Sequence, residues 1–181
     1  MRFHDTELPG VVLVDIDARH DERGFFARSY CDEEFAARDL HTRWPQCNLS
    51  YNHQAHTLRG MHYQAAPHAE VKLVRCTAGA IWDVVVDLRV GSPTRFQWRG
   101  FELTAASRTA LYIPAGFAHG FLTLRDETEV FYQMGAPFVA DAARGFRWDD
   151  PRIGIAWPAP PAVISGRDGG YPDLDSSVND A

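Results

Sequence analysis

Between residues 71 and 134 the chain runs as six short apolar segments, 71–76, 80–88, 101–104, 110–113, 120–124 and 130–134. They are parted by turn-forming groups, Thr77-Ala78-Gly79, Gly91-Ser92-Pro93 and Asp126-Glu127-Thr128 among them. Segments this short, closed off every few residues by such groups, suit strands rather than helices. The pattern predicts an all-β domain, an antiparallel barrel or sandwich. With 181 residues, 45% hydrophobic and 12% aromatic, one domain spanning 1–181 can bury a sizeable core. One short peripheral helix is predicted over 32–38, with Asp32 as its cap and the early acids favoured by the helix dipole. After Trp157, the prolines Pro158, Pro160, Pro161 and Pro172 point to an extended wrap, and the last residues, 175–181, are expected to fray.

The net charge of -6 argues against a nucleic-acid groove or an anionic membrane surface as partner, since either needs a basic field. An anionic ligand would have to be held by a few placed arginines. No apolar stretch approaches the length of a membrane span, and Met1-Arg2-Phe3-His4-Asp5 lacks the apolar core of a signal peptide, so a cytoplasmic location is expected. Three cysteines, Cys31, Cys47 and Cys76, lack metal spacing and suit a reducing compartment as packed or surface thiols.

Polar residues inside apolar strands are informative, because alternation assigns each to a face. Lys72 shares a face with Val74 and Cys76, and an interior lysine is costly unless it has a partner or a task. The opposite assignment, with Val71 and Leu73 inward and Lys72 solvated, fits the pattern equally well. Asp83 and Asp87 pose the same question beside Ile81 and Val85. Tyr132 shares its face with Val130 and Met134, where its hydroxyl would need a partner.

Two histidine motifs bear on chemistry. Pro114-Ala115-Gly116-Phe117-Ala118-His119 resembles the second metal box of cupins, but Leu58-Arg59-Gly60-Met61-His62-Tyr63-Gln64 offers His-x-Gln where a metal-binding cupin offers His-x-His. Two histidines fall short of the three or four converging ligands a metal needs, so no metal is expected and His62 is free to act as a base. Arg59 and His62 are an odd number of residues apart, so an unbroken strand would aim them at opposite faces. Reaching one pocket requires a bend, which Gly60 permits.

Taken together, Asp21-Glu22-Arg23-Gly24-Phe25-Phe26, Gln46-Cys47-Asn48-Leu49-Ser50, the His62 block, Lys72-Leu73-Val74-Arg75, Asp87-Leu88-Arg89-Val90-Gly91-Ser92-Pro93-Thr94, the His119 block, Trp148-Asp149-Asp150-Pro151 and Ser165-Gly166-Arg167-Asp168 resemble the deoxythymidine-diphosphate 4-keto-rhamnose 3,5-epimerase family. The resemblance implies a cupin-like antiparallel β-barrel, a jelly roll with a few short peripheral helices, that works without metal or cofactor. It implies inversion of C3 and C5 of a nucleoside-diphosphate 4-keto-6-deoxy sugar. In those terms His62 is the base, Asp168 orients it, Tyr132 is the acid on the opposite face, and Lys72 stands near the enolate oxygen. His119 contacts the sugar, and Arg23 and Arg59 take the diphosphate, with Gln46 and Asn48 beside them. Phe138 stacks on the nucleobase, and Arg28 and Arg167 complete the substrate-contacting set. The family also implies a homodimer, with strands near the N-terminus contributing to the neighbour's pocket.

Two departures bear on the ligand. Relatives carry a glutamate where this chain has Arg28, and another where it has Ala143, for which Asp141 is a candidate substitute. Three alternatives stay open: inversion of only one carbon or use of another nucleobase, a metal-dependent cupin enzyme, and a sugar-nucleotide binding protein without turnover.

Overall fold

In the computed structural model, which describes residues 1–174, the chain folds into two facing sheets with a common core. One sheet has the strand order β1 (Arg2–Asp5), β2 (Val12–Asp15), β10 (Ala110–Ile113), β7 (Lys72–Ala78), β12 (Thr128–Met134) and β5 (Gln46–Asn52). The other has the order β13 (Ala143–Gly145), β6 (Thr57–Gln64), β11 (Phe117–Thr123), β8 (Ala80–Asp87) and β9 (Trp98–Thr104). β14 (Val163–Ile164) adds to β6 in parallel, an exception to the antiparallel pairing predicted. β3 (Arg19–Asp21) and β4 (Gly24–Phe26) make a separate hairpin. This is the all-β, cupin-like architecture expected, and the six apolar segments fall on six consecutive strands, β7 to β12.

Those segments read as nearly continuous apolar runs because both faces of each sheet are covered. Between the sheets, Val74, Cys76, Ile81, Val85, Leu103, Leu111, Phe117, Phe121 and Val130 form the inner core. Burial pushes the Cys76 thiol up to about 11, as befits a packed thiol. Behind the first sheet, Val12, Val14, Leu73 and Tyr112 pack on Phe35 of helix α1 (Asp32–Ala36). Behind the second, Met61, Val84, Val86 and Ala118 are covered by Phe146, Ile153 and Leu174 from the C-terminal segment. Two-sided burial is why alternation could not decide the orientation of Lys72. Leu73 packs behind the sheet while Lys72, Val74 and Cys76 face inward.

Three local expectations need correction. Helix α1 is shorter than predicted, and Cys31, not Asp32, holds its N-cap position without a side-chain cap. Asp32 instead accepts a hydrogen bond from the Glu33 N–H at 3.0 Å, inside the first turn. Thr128 belongs to β12 rather than to the preceding turn. The segment after Trp157 is more than an extended wrap: it supplies β14 and a short helix, α2 (Gly166–Gly169). The expected fraying at 175–181 lies outside the described residues. Among the described residues no helix is long and apolar enough to cross a membrane.

Candidate active site

A cavity of about 630 Å³ opens at one end of the inner core, of a size suited to a drug-sized or nucleotide ligand. Its wall includes His62, Lys72, His119, Tyr132 and Asp168, together with Gln46, Asn48, Arg59, Phe138 and Arg167. Ten of the residues singled out in the sequence thus converge on one space from β5, β6, β7, β11, β12, the loop after β12 and the C-terminal segment.

The bend proposed at Gly60 is a β-bulge. His62 lies opposite His119, and Arg59 lies opposite Phe121, so three steps along β6 match two along β11. The extra residue brings Arg59 and His62 to the same side. Gly60 has a φ of +135°, and a Cβ there would sit 2.6 Å from the Gly120 Cα, so the bulge depends on two glycines on neighbouring strands.

Asp168 reaches His62 because Ser165 caps α2, its hydroxyl accepting from the Asp168 N–H at 3.0 Å. One carboxylate oxygen then accepts from His62 Nε2 at 2.9 Å and the other from the Gly60 N–H at 3.1 Å. Burial alone would raise the Asp168 carboxyl, but the bonds from His62 and Gly60 outweigh it and hold the group below the usual carboxylate range. An ionised Asp168 fixes the proton on Nε2 and leaves the Nδ1 lone pair of His62 for chemistry. The His62 side chain is 40% exposed, whereas that of Asp168 is 8% exposed, so the imidazole is open and the carboxylate behind it is shielded.

Across the cavity, burial and the nearby Asp83 push the Tyr132 phenol well up, with Arg59 opposing them, so the hydroxyl stays protonated. Its ring meets that of His119 edge-on, with centroids 6.1 Å apart. His119, expected as a sugar contact, also has a partner of its own: its Nε2 pairs with the fully buried Asp83 Oδ1 at 2.8 Å. Strand alternation raised the question of Asp83, and this histidine is its answer. Asp87, flagged with it, has a structural task. Burial would raise its carboxyl, but bonds from Arg89, Ser92 and Thr94 hold it at about 2 and close the turn after β8. Lys72 Nζ lies 3.1 Å from Glu70, a residue that no sequence pattern marks out. Among the described residues, no group of three or more His, Cys, Asp or Glu converges to hold a metal ion.

Arg59 is held toward the cavity by Asn52, whose Oδ1 accepts from Nε at 2.7 Å. Arg167 Nε donates to the Tyr171 hydroxyl at 2.8 Å. The Phe138 N–H is fixed by Gln46 Oε1 at 3.1 Å, leaving its ring exposed at the cavity. Two predicted contacts are not brought to this cavity by their own chain. Arg23 pairs with Asp21 on the β3–β4 hairpin, with a side chain 82% exposed, and Arg28 pairs with Glu34 on α1 at 3.3 Å. Ala143 lines the cavity, whereas Asp141, its candidate substitute, is exposed on the short 3-10 helix Ala140–Ala142, outside the lining.

Residues 5–176 match the family model described as dTDP-4-dehydrorhamnose 3,5-epimerase. The chain belongs to this epimerase family. A dTDP-4-dehydrorhamnose 3,5-epimerase of Sinorhizobium fredii is 42% identical over 175 residues, covering 96% of this chain and 90% of that one. The crystal structure of the Bacillus anthracis dTDP-4-dehydrorhamnose 3,5-epimerase, solved with TDP and pyrophosphate bound, superposes with a TM-score of 0.92 at 38% identity, covering 96% of this chain and 99% of that one. A dTDP-4-dehydrorhamnose 3-epimerase of Streptomyces niveus is 37% identical over 169 residues, covering 93% of this chain and 81% of its own. This epimerase is therefore an isomerase related to enzymes that invert two carbons and to at least one that inverts a single carbon.

Proposed function

We propose that the protein inverts C3 and C5 of a thymidine-diphosphate 4-keto-6-deoxyhexose by proton transfer, without a metal. The C4 ketone acidifies the hydrogens on both neighbouring carbons. His62 takes such a proton on Nδ1, and the ionised Asp168 stabilises the imidazolium that results. The electron pair moves onto the C4 oxygen, where Lys72 stands as the cationic donor for the enolate. Tyr132 returns a proton from the opposite face, and the inverted carbon is set as the ketone re-forms. The observation that carries this reading is the placement of a supported base, a protonated phenol and a buried lysine around one cavity. His119 contacts the sugar, Arg59 and Arg167 take the diphosphate with Gln46 and Asn48 nearby, and Phe138 stacks on the base.

Arg23, Phe25 and Phe26 sit on an exposed hairpin away from their own cavity, which supports a homodimer whose hairpins reach the neighbouring site. The three free cysteines accord with a cytoplasmic location. Incubation with thymidine-diphosphate 4-keto-6-deoxyglucose in deuterated water, followed by NMR of the sugar, tests the reading. Deuterium at both C3 and C5 of an inverted product is the expected result. Label at C3 alone would favour the second reading, a single-carbon epimerase like the Streptomyces niveus relative. No label at either carbon would refute both.

A further inference from the structure

Lys72 has a fixed anionic neighbour that the reaction scheme leaves without a task. The side chains of Lys72 and Glu70 are each 8% exposed, and Nζ lies 3.1 Å from Glu70 Oε1. Glu70 Oε2 accepts from Gln64 Nε2 at 2.9 Å. Gln64 cannot turn its amide over, because its Oε1 accepts from the Val139 N–H at 2.7 Å while its Nε2 also faces the His68 carbonyl at 3.1 Å. Both Glu70 oxygens therefore meet donors, and the network has one self-consistent assignment. The carboxylate is held at one end by an amide that is itself anchored, and at the other it holds the ammonium.

A buried ion pair of this kind is weak support for stability, because desolvation offsets the attraction. Its consequence is geometric. A lysine on a flexible four-carbon stem must be aimed to serve an enolate oxygen, and one bond to Glu70 restricts its rotamers while leaving two N–H groups for substrate. We infer that Glu70 is a positioning residue for the epimerisation, acting through Lys72. The inference rests on the role given to Lys72 under the proposed function.

The test compares the wild type with Glu70→Ala, Glu70→Gln, Lys72→Ala and the double variant Glu70→Ala/Lys72→Ala. Turnover and KM are measured with thymidine-diphosphate 4-keto-6-deoxyglucose, and affinity with thymidine diphosphate. Misaiming Lys72 in Glu70→Ala should lower kcat by about 10- to 100-fold, with diphosphate affinity unchanged within about threefold because Arg59 and Arg167 are untouched. Glu70→Gln, whose amide oxygen still accepts from the ammonium although its NH2 faces that of Gln64, should recover at least half of that loss on a logarithmic scale. The double variant should be no slower than Lys72→Ala, since the two residues act as a unit. Wild-type turnover in Glu70→Ala, or a double variant slowed by the full product of both losses, would overturn the inference alone. A wild type that exchanges no sugar proton would instead overturn the epimerase reading and this inference with it.

Discussion

Asp168→Asn is the sharpest perturbation of the site, because it changes one atom and reverses a tautomer. The Gly60 N–H points at one carboxylate oxygen and His62 Nε2 at the other, 3.1 and 2.9 Å away. In the variant the amide oxygen must face Gly60, since a backbone N–H cannot accept, so the amide NH2 faces Nε2. Nε2 must then be the acceptor, and the proton moves to Nδ1, the atom proposed to take the sugar proton. The variant keeps both hydrogen bonds and loses the base. In a serine protease triad the same exchange costs about 10⁴ in kcat through the wrong tautomer. A loss of at least about 10³ in deuterium wash-in is expected here, or about 4 kcal/mol of activation free energy. Thymidine diphosphate affinity serves as the control, because it does not depend on which ring nitrogen carries the proton, whereas the unfolding midpoint at neutral pH should fall with the loss of the ionised carboxylate. Wild-type affinity with wash-in retained above a tenth of normal, and nitrogen NMR showing Nε2 still protonated, would refute the tautomer argument.

Other perturbations separate the remaining roles. Tyr132→Phe should let the abstracted position exchange with solvent while the inverted product hardly forms, and normal epimer formation would reduce Tyr132 to core packing. Asp87→Asn should destabilise the fold at neutral pH by about 2 kcal/mol, at roughly 1.4 kcal/mol per pH unit of lowered pKa. Because the folded-state value is about 2 against an ordinary 3.8, that contribution is full above about pH 4 and fades as pH falls toward 2. Urea unfolding of wild type and variant should therefore converge in acid, and a constant gap would contradict the assignment. Chelation should leave activity unchanged, and a reversible loss would favour a metal-dependent cupin. With Arg28 paired to Glu34, the affinity order of thymidine, cytidine, uridine and guanosine diphosphates should be the same in wild type and Arg28→Glu, and a reordering would restore Arg28 to nucleobase recognition.

What could be read from the sequence follows how local the determining physics is. The strands of 71–134 announced themselves through turn residues and apolar runs within each segment. The bend at Gly60 was legible because the family resemblance places Arg59 and His62 at one pocket, and their odd spacing conflicts with period-two alternation. By contrast, the facing of Lys72 stayed open because Leu73 is buried too, against Phe35 and its neighbours, and covering of a second face is a tertiary fact. Asp83 was suspicious in an apolar strand, but its partner His119 lies on β11, and only the pairing of β8 with β11 brings them together. Glu70 gave no signal at all: an acid in the loop between β6 and β7 looks solvated until the cavity wall encloses it.

The segment after Trp157 is the instructive error. Four prolines by Pro172 rightly forbid a long regular element there. They do not forbid a four-residue helix between Pro161 and Pro172, and Ser165 is a strong cap two residues after Val163 begins pairing with β6. That short helix is what turns Asp168 toward His62. Parallel addition of β14 to the same strand that carries His62 fixes the distance between Asp168 and His62 through one sheet, rather than across the mouth of the cavity. A site assembled this way ties its catalytic geometry to the pairing of β6 with β11, β13 and β14, so loosening the C-terminal segment should lower activity before it lowers the stability of the inner core.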